Sequence, residues 1–226
     1  MSDVPRLKKN PRKPSTPEPP RLSGELPPSS LRHMQDDTEI ASVKMEGNRF
    51  VNVSATGVVF EQVVMRRAVF SAVRLANARF TDVLVEGADI SGIVLARARL
   101  QRVEFRGCRL TGAQFSEFKC RDILFSECTL ESAIFTSGTF QSVGFQKCNM
   151  RKAIFDHDDL PGAVFLGCDL GGADFAGSAT KGIDLRGSDL TGLHIDARQL
   201  QGAVIDPLQA MQVASLLGIT VKEQGE

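Results

Sequence analysis

From residue 40 to residue 205, apolar side chains recur at every fifth position. The column runs Ile40, Met45, Phe50, Ala55, Phe60, Met65, Phe70 and on to Leu200 and Ile205, and Thr180 alone in it is frankly polar. Of the 14 Phe, all but Phe118 stand in this column. Two residues before the centre the side chain is usually small or β-branched, as at Val43, Val53, Val63, Ala68 and Val73; two residues after it Gly is common, as at Gly87, Gly92, Gly107 and Gly112. A period of five fits neither the 3.6 of a helix nor the 2 of a strand. A uniform element would spread these apolar positions over all its faces. The pattern therefore predicts short extended legs separated by corners, with the centre and the residue two before it inward, and Gly or a small residue freeing the corner. Legs that all turn the same way wind into an all-β solenoid, whose neighbouring coils supply each other's backbone hydrogen bonds.

A second spacing sets the number of legs. Cys108, Cys128, Cys148 and Cys168 are 20 apart, as are Ala113, Ala133, Ala153 and Ala173, and Phe115, Phe135, Phe155 and Phe175. Like stacking on like predicts four legs per coil and about eight coils. At the spacing of paired strands this is a rod ~40 Å long.

The rows CDLGG (168–172), ADFAG (173–177) and SDLTG (188–192) resemble the pentapeptide-repeat family, with its A(D/N)LxX consensus, and the register runs unbroken over 38–205. The resemblance implies a right-handed quadrilateral β-helix. It does not imply one activity. Some similar bacterial members are non-catalytic DNA-shaped mimics that bind DNA gyrase, a type II topoisomerase, and protect it from quinolones or peptide toxins. Others are scaffolds or signalling adaptors. This chain has none of the loops that project from the coil in plasmid quinolone-resistance members.

The two ends break the period. Residues 1–37 hold eight of the 10 Pro together with Lys8, Lys9, Arg12 and Lys13, and are expected to be a disordered basic tail. Residues 206–226 are expected to form a cap. Asp206-Pro207 opens a helix, Gly218 closes it, and Ile219–Val221 reads as a short strand. Leu208, Met211, Leu216 and Leu217 are its candidate capping or dimerisation residues, since in similar family members the terminal helix makes a homodimer.

Composition removes several functions. There is no Cys/His cluster and no CxxC, so no metal site is expected, and no cofactor motif or Ser-His-Asp order is present. A filled interior leaves no cleft for catalysis, so an enzyme is not expected. The Cys ladder reads as buried small hydrophobes. Unpaired thiols and the absence of an apolar leader or spanning run point to a cytoplasmic protein.

Formal charge is zero, which argues against a polyanion partner overall. Its distribution is uneven. Residues 38–125 carry a basic excess and 126–205 an acidic one. Most charges alternate in sign at 20-residue steps, which reads as register-fixing ladders. Arg79, Arg99 and Lys119 instead stack like on like, with Arg121 beside them. These four are the candidate basic surface, through which direct nucleic-acid binding is the alternative reading. Asp158, Asp159, Asp169, Asp174, Asp184 and Asp189 are the candidate acidic surface. One run of inward positions also departs from the rule: Phe118 with Cys120, Gly138, Asp158, Ser178 and Arg198. An Asp158–Ser178–Arg198 line, bridged by a hydroxyl or water, is one arrangement this face could adopt. An outward bulge forming a binding edge is another.

Overall fold

The computed structural model describes residues 16–29 and 31–222. Strand pairing is parallel throughout and joins each residue to the one 20 further on: Ile40 to Phe60, Phe105 to Phe125, Phe135 to Phe155. Four legs therefore close each coil. Strands such as Glu39–Glu46, Val59–Arg66 and Arg79–Glu86 bend around one corner, so that one seven-stranded sheet covers two adjacent faces. We call these the first face (centres Ile40, Phe60, Phe80) and the second (Met45, Met65, Val85). The third starts with the pair Arg49–Val51 and Val69–Ser71 and continues as isolated bridges. A six-stranded sheet from Ser54–Thr56 to Ile154–Asp156 makes the fourth. Continuous strands account for about six turns rather than the expected eight. Past Leu166 the same 20-residue step persists only as single bridges, the last joining Asp184 to Val204.

Every corner up to residue 192 turns through a residue in the left-handed region, two after the centre. Gly fills many of these sites, but so do Arg67, Lys147 and His157, at φ of 51, 52 and 55°. A left-handed residue with a Cβ costs about 1–2 kcal/mol. The ladder offsets it: the Arg67 N–H donates to Glu86 O at 2.9 Å and that of Lys147 to Leu166 O at 2.8 Å. The corner, expected to need Gly or a small residue, thus also accepts long polar side chains.

Inside, Phe rings pile up face to face. Phe105, Phe125, Phe145 and Phe165 form one column with centroids 4.7 to 4.9 Å apart; Phe115, Phe135, Phe155 and Phe175 form a second, at 4.6 to 4.9 Å. The Cys ladder has its own bonding role. Each thiol donates to a carbonyl 23 residues earlier (Cys108 to Val85 O, Cys128 to Phe105 O, Cys148 to Phe125 O, Cys168 to Phe145 O) at 3.4 or 3.5 Å. Ser188 continues the column one coil on and donates to Phe165 O at 3.0 Å. All five Cys are free and buried.

The C-terminal end is closed by amide side chains. Gln199 Nε2 donates to Phe175 O and Ser178 O, and Gln209 Nε2 to Leu185 O and Ser188 O, at 2.5 to 2.9 Å. Carbonyls that lack a following strand are satisfied in this way. The terminal helix, Gln209–Leu216, starts two residues later than expected. Asp206 Oδ1 still accepts from the N–H groups of Leu208 and Gln209. At the other end the Gly218 N–H donates to Ser215 O and that of Ile219 to Ala214 O. Those bonds complete a Schellman turn, and residues 219–221 form no strand.

The N-terminal expectation also changes. Residues 16–29 run lengthwise along the outside, against the direction of the coils. Pro17 lies near Gly144. The Glu18 N–H then reaches Asp122 Oδ1, the Arg21 N–H reaches Asp82 Oδ1, and the Ser23 hydroxyl reaches Gln62 Oε1. Pro27 O and Ser29 N bond Lys44. Pro-rich composition reads as a tail when the chain is considered alone; here the solenoid supplies the surface it lies on. The rest of the proposed tail, residues 1–15, lies outside the described residues.

The inward departures form a packed sequence. The Phe118 ring meets Phe140 edge-on at 5.0 Å and occupies the space a side chain at Gly138 would need. Asp158 follows, 2% exposed. Its Oδ1 accepts from the Gly138 N–H at 2.5 Å, while Oδ2 is buried without a partner. Arg198 does not reach it: Arg198 is exposed, and its N–H donates to Asp196. Ser178 bonds the Asp158 backbone and donates to Phe155 O. The carboxyl points toward the preceding coil, so the side-chain line to Arg198 does not form.

Burial pushes the Asp158 carboxyl up to about 7; the Gly138 N–H pulls it back, and the charge of Asp156 adds to the rise. A raised carboxyl stabilises the fold fully below its unfolded pKa of 3.8 and loses that contribution as pH climbs to about 7. In chemical denaturation, wild-type stability relative to Asp158→Asn is expected to fall by about 1.4 kcal/mol per pH unit across that window and to level off above it. Parallel pH profiles for the two proteins would overturn the assignment.

Candidate interaction surface

With the interior filled, side chains free to meet a ligand are on the outside. Among the described residues no group of three His, Cys, Asp or Glu is placed to hold a metal ion. Nor, among the described residues, is any helix long and apolar enough to cross a membrane.

Several exterior charges are paired along the axis. Arg66 Nε meets Glu86 at 2.6 Å, Arg102 grips Asp82 through two bonds of 2.6 and 2.8 Å, and Arg109 meets Asp89 at 3.3 Å. The first face breaks the pattern. Arg79, Arg99 and Lys119 are direct neighbours in the ladder, all exposed, and none makes an ion pair. Like charges on adjacent strands destabilise, so this column carries a cost. Arg97 sits at the adjoining corner, tied to Asn77 Oδ1, and together these side chains line a shallow groove. Arg121 lies on the same face but donates to Gln141 on the next coil.

The six candidate aspartates do not form one patch. Asp158 and Asp184 are buried, and Asp184 is held by two bonds from the Arg186 guanidinium. Both therefore leave the list of surface acids. Asp159 is on the first face, Asp169 and Asp189 on the third, and Asp174 on the fourth, as their bridges to Thr139, to each other and to Ile154 show. Asp169, Asp174 and Asp189 also have a local task. Each carboxylate accepts the N–H two residues on, from Gly171, Ala176 and Thr191. This Asx turn is the physical reason for Asp in that slot. The Thr191 hydroxyl and N–H hold the Asp189 carboxyl below the ordinary range.

The cap residues divide. Leu216 packs against the core with Val213, whereas Leu208 (87% exposed), Met211 and Leu217 face outward beside Ile219 and Val221. Apolar pattern alone does not separate these two sets, because the helix is only two turns long and its phase depends on where it starts.

Comparison with known proteins agrees with this architecture. The pentapeptide repeat region model matches residues 98–175, and the pentapeptide repeats model of eight copies matches 49–87, 78–116, 159–192 and 168–203. No curated protein matches. Among solved structures, trypsin-treated QnrB1, a plasmid-mediated fluoroquinolone resistance protein, aligns over 83% of this chain and 97% of its own at 22% identity, with a TM-score of 0.52. Full-length QnrB1 aligns over 82% and 97% at 21% identity, with a TM-score of 0.51. HetL, a pentapeptide repeat protein involved in heterocyst differentiation regulation from the cyanobacterium Nostoc sp., aligns over 76% and 89% at 17% identity, with a TM-score of 0.25. At these identities the likeness to QnrB1 is one of fold. The repeat matches together span residues 49–203, well over half of the chain, and the chain belongs to the pentapeptide-repeat family.

Proposed function

We propose that this chain is a non-catalytic, cytoplasmic protein-binding solenoid, and that its partner is a type II topoisomerase of the DNA gyrase kind. The observation that carries this reading is the placement of Asp159, Asp169, Asp174 and Asp189 around three faces of a rod with a solid interior. A duplex likewise presents negative charge around its circumference rather than in one patch, so these coils can occupy a groove built for DNA. Likeness of fold to a fluoroquinolone resistance protein supports the choice of partner. Purified gyrase should supercoil DNA in the presence of a fluoroquinolone better with this protein than without it. If the protein neither inhibits nor protects gyrase at micromolar concentration, the reading fails.

The outward side chains Leu208, Met211 and Leu217 support a homodimer through the terminal helix. The protein is expected to sediment as a dimer, and a Leu208→Glu/Met211→Glu variant as a monomer with an unchanged circular dichroism spectrum. A monomeric wild type at micromolar concentration would exclude this contact.

One observation favours a second reading. The unpaired Arg79–Arg99–Lys119 column is a polyanion surface, and direct nucleic-acid binding would use it. Neutralising three phosphates gives a slope of about −3 in log affinity against log salt. Labelled duplex that shows no retention at low salt removes this reading; retention that Arg99→Glu abolishes establishes it.

A further inference from the structure

The corner between the first and second faces differs from the other three. Elsewhere the left-handed residue is largely in solvent, as at Arg67, Asn77, Arg97 and Lys152. Here Asp82 is buried, and Gln62, Arg102 and Asp122 are half-buried. Beside this corner runs the outward column of the second face, where Val64, Leu84 and Leu124 are apolar and half-buried and Gly144 is buried. Outward positions are covered in this way because residues 16–29 lie along them.

The covering segment has the form of a bound peptide. Pro17, Pro20, Leu26 and Ser29, spaced by multiples of three, are half-buried, as is Leu22. Three is the period of a polyproline helix, whose backbone makes no internal hydrogen bonds. The surface beneath supplies acceptors one at a time: Asp82 Oδ1 for the Arg21 N–H at 2.8 Å, Asp122 Oδ1 for the Glu18 N–H at 3.3 Å, and Gln62 Oε1 for the Ser23 hydroxyl at 2.9 Å. Only at Pro28, beside Lys44, does it pair as a strand does. On its outer side the segment is braced by Arg21 donating to Glu18, three residues back.

Covering this corner has a physical cost. The Asp82 and Arg102 side chains, which lie on the exterior, are only 9 and 13% exposed. Removing a charge pair from water offsets much of what the cover gains in apolar contact. A tethered segment stays bound all the same, because the tether raises its effective concentration to the millimolar range or so.

We propose that the groove from Lys44 to Gly144 is a docking site for an extended, proline-containing peptide segment of a protein partner, and that residues 16–29 fill it as the chain's own displaceable ligand. A competing segment needs apolar or proline side chains at steps of three and a free backbone N–H over Asp82. The groove, unlike the basic column and the acidic coils, selects by backbone form as well as by charge.

The probe is a fluorescein-labelled peptide of residues 16–29, added to the full-length chain and to a full-length Leu22→Asp/Leu26→Asp variant whose own segment is released. Fluorescence anisotropy should show at least tenfold tighter binding to the variant, abolished when Leu84→Arg is added. Equal affinity for both chains would overturn the proposal, as would no binding to a variant whose circular dichroism and melting match the wild type. If the variant melts early, hydrogen exchange of the wild type decides. An Arg21 amide exchanging well ahead of those of Phe60 and Phe80 supports displacement, and exchange only with global unfolding refutes it. Wild-type chains that sediment as dimers and separate when the free peptide is added would place the segment in a second copy and overturn the intramolecular arrangement.

Discussion

Each coil is finished by the next one. The N–H and C=O groups of a leg find their partners on the neighbouring coil, 19 or 21 residues along the chain, as in Arg67 to Glu86 and Val59 to Thr38, and the corners that allow this need a left-handed residue every five positions. Neither condition is satisfied by a coil alone. Local strain and inter-coil bonding are therefore coupled: the ladder holds Arg67 and Lys147 in a conformation their side chains disfavour, and the corners hold the ladder in register. Everything inside follows. Phe stacks on Phe because the same slot recurs at the spacing of paired strands, and the inward pairs of successive coils merge into one continuous core.

The same coupling dictates what must be done where it stops. The last coils have carbonyls with no following strand, and two glutamines ten residues apart take them, with Gln199 at one corner and Gln209 at another. The polar core residues fit this logic. Ser178 and Ser188 donate to carbonyls as the Cys thiols do. Asp158, like Asn48 with its buried Oδ1, brings more polarity than its site can satisfy, since one oxygen has the Gly138 N–H and the other has nothing.

Much of this was legible in the amino-acid sequence because the solenoid is nearly one-dimensional. Period five named the inward column, and the 20-residue echoes of Cys, Ala and Phe named the stacks. The same arithmetic placed Arg79, Arg99 and Lys119 on one face. It failed where a contact is not a multiple of the period. The direction of the Asp158 carboxyl depends on room left by Phe118 and Gly138. The phase of the terminal helix depends on Asp206 capping from outside it. The segment at 16–29 depends on a surface, from Lys44 to Gly144, that exists only once six coils are assembled. The burial of Asp184 was hidden for a different reason: its partner Arg186 lies on the same leg, so its pairing leaves no 20-residue signature.

The lengthwise course of residues 16–29 also alters how the rod holds together. In an array with nearest-neighbour contacts, the ends fray in steps and distant coils open independently. A segment bonded to Lys44, Gln62, Asp82 and Asp122 spans the coils containing all four. Opening the first coil then disturbs contacts four coils away. The N-terminal half of the solenoid is thereby joined into one cooperative block, while the glycine-cornered coils beyond Leu166 keep the graded stability of a simple stack.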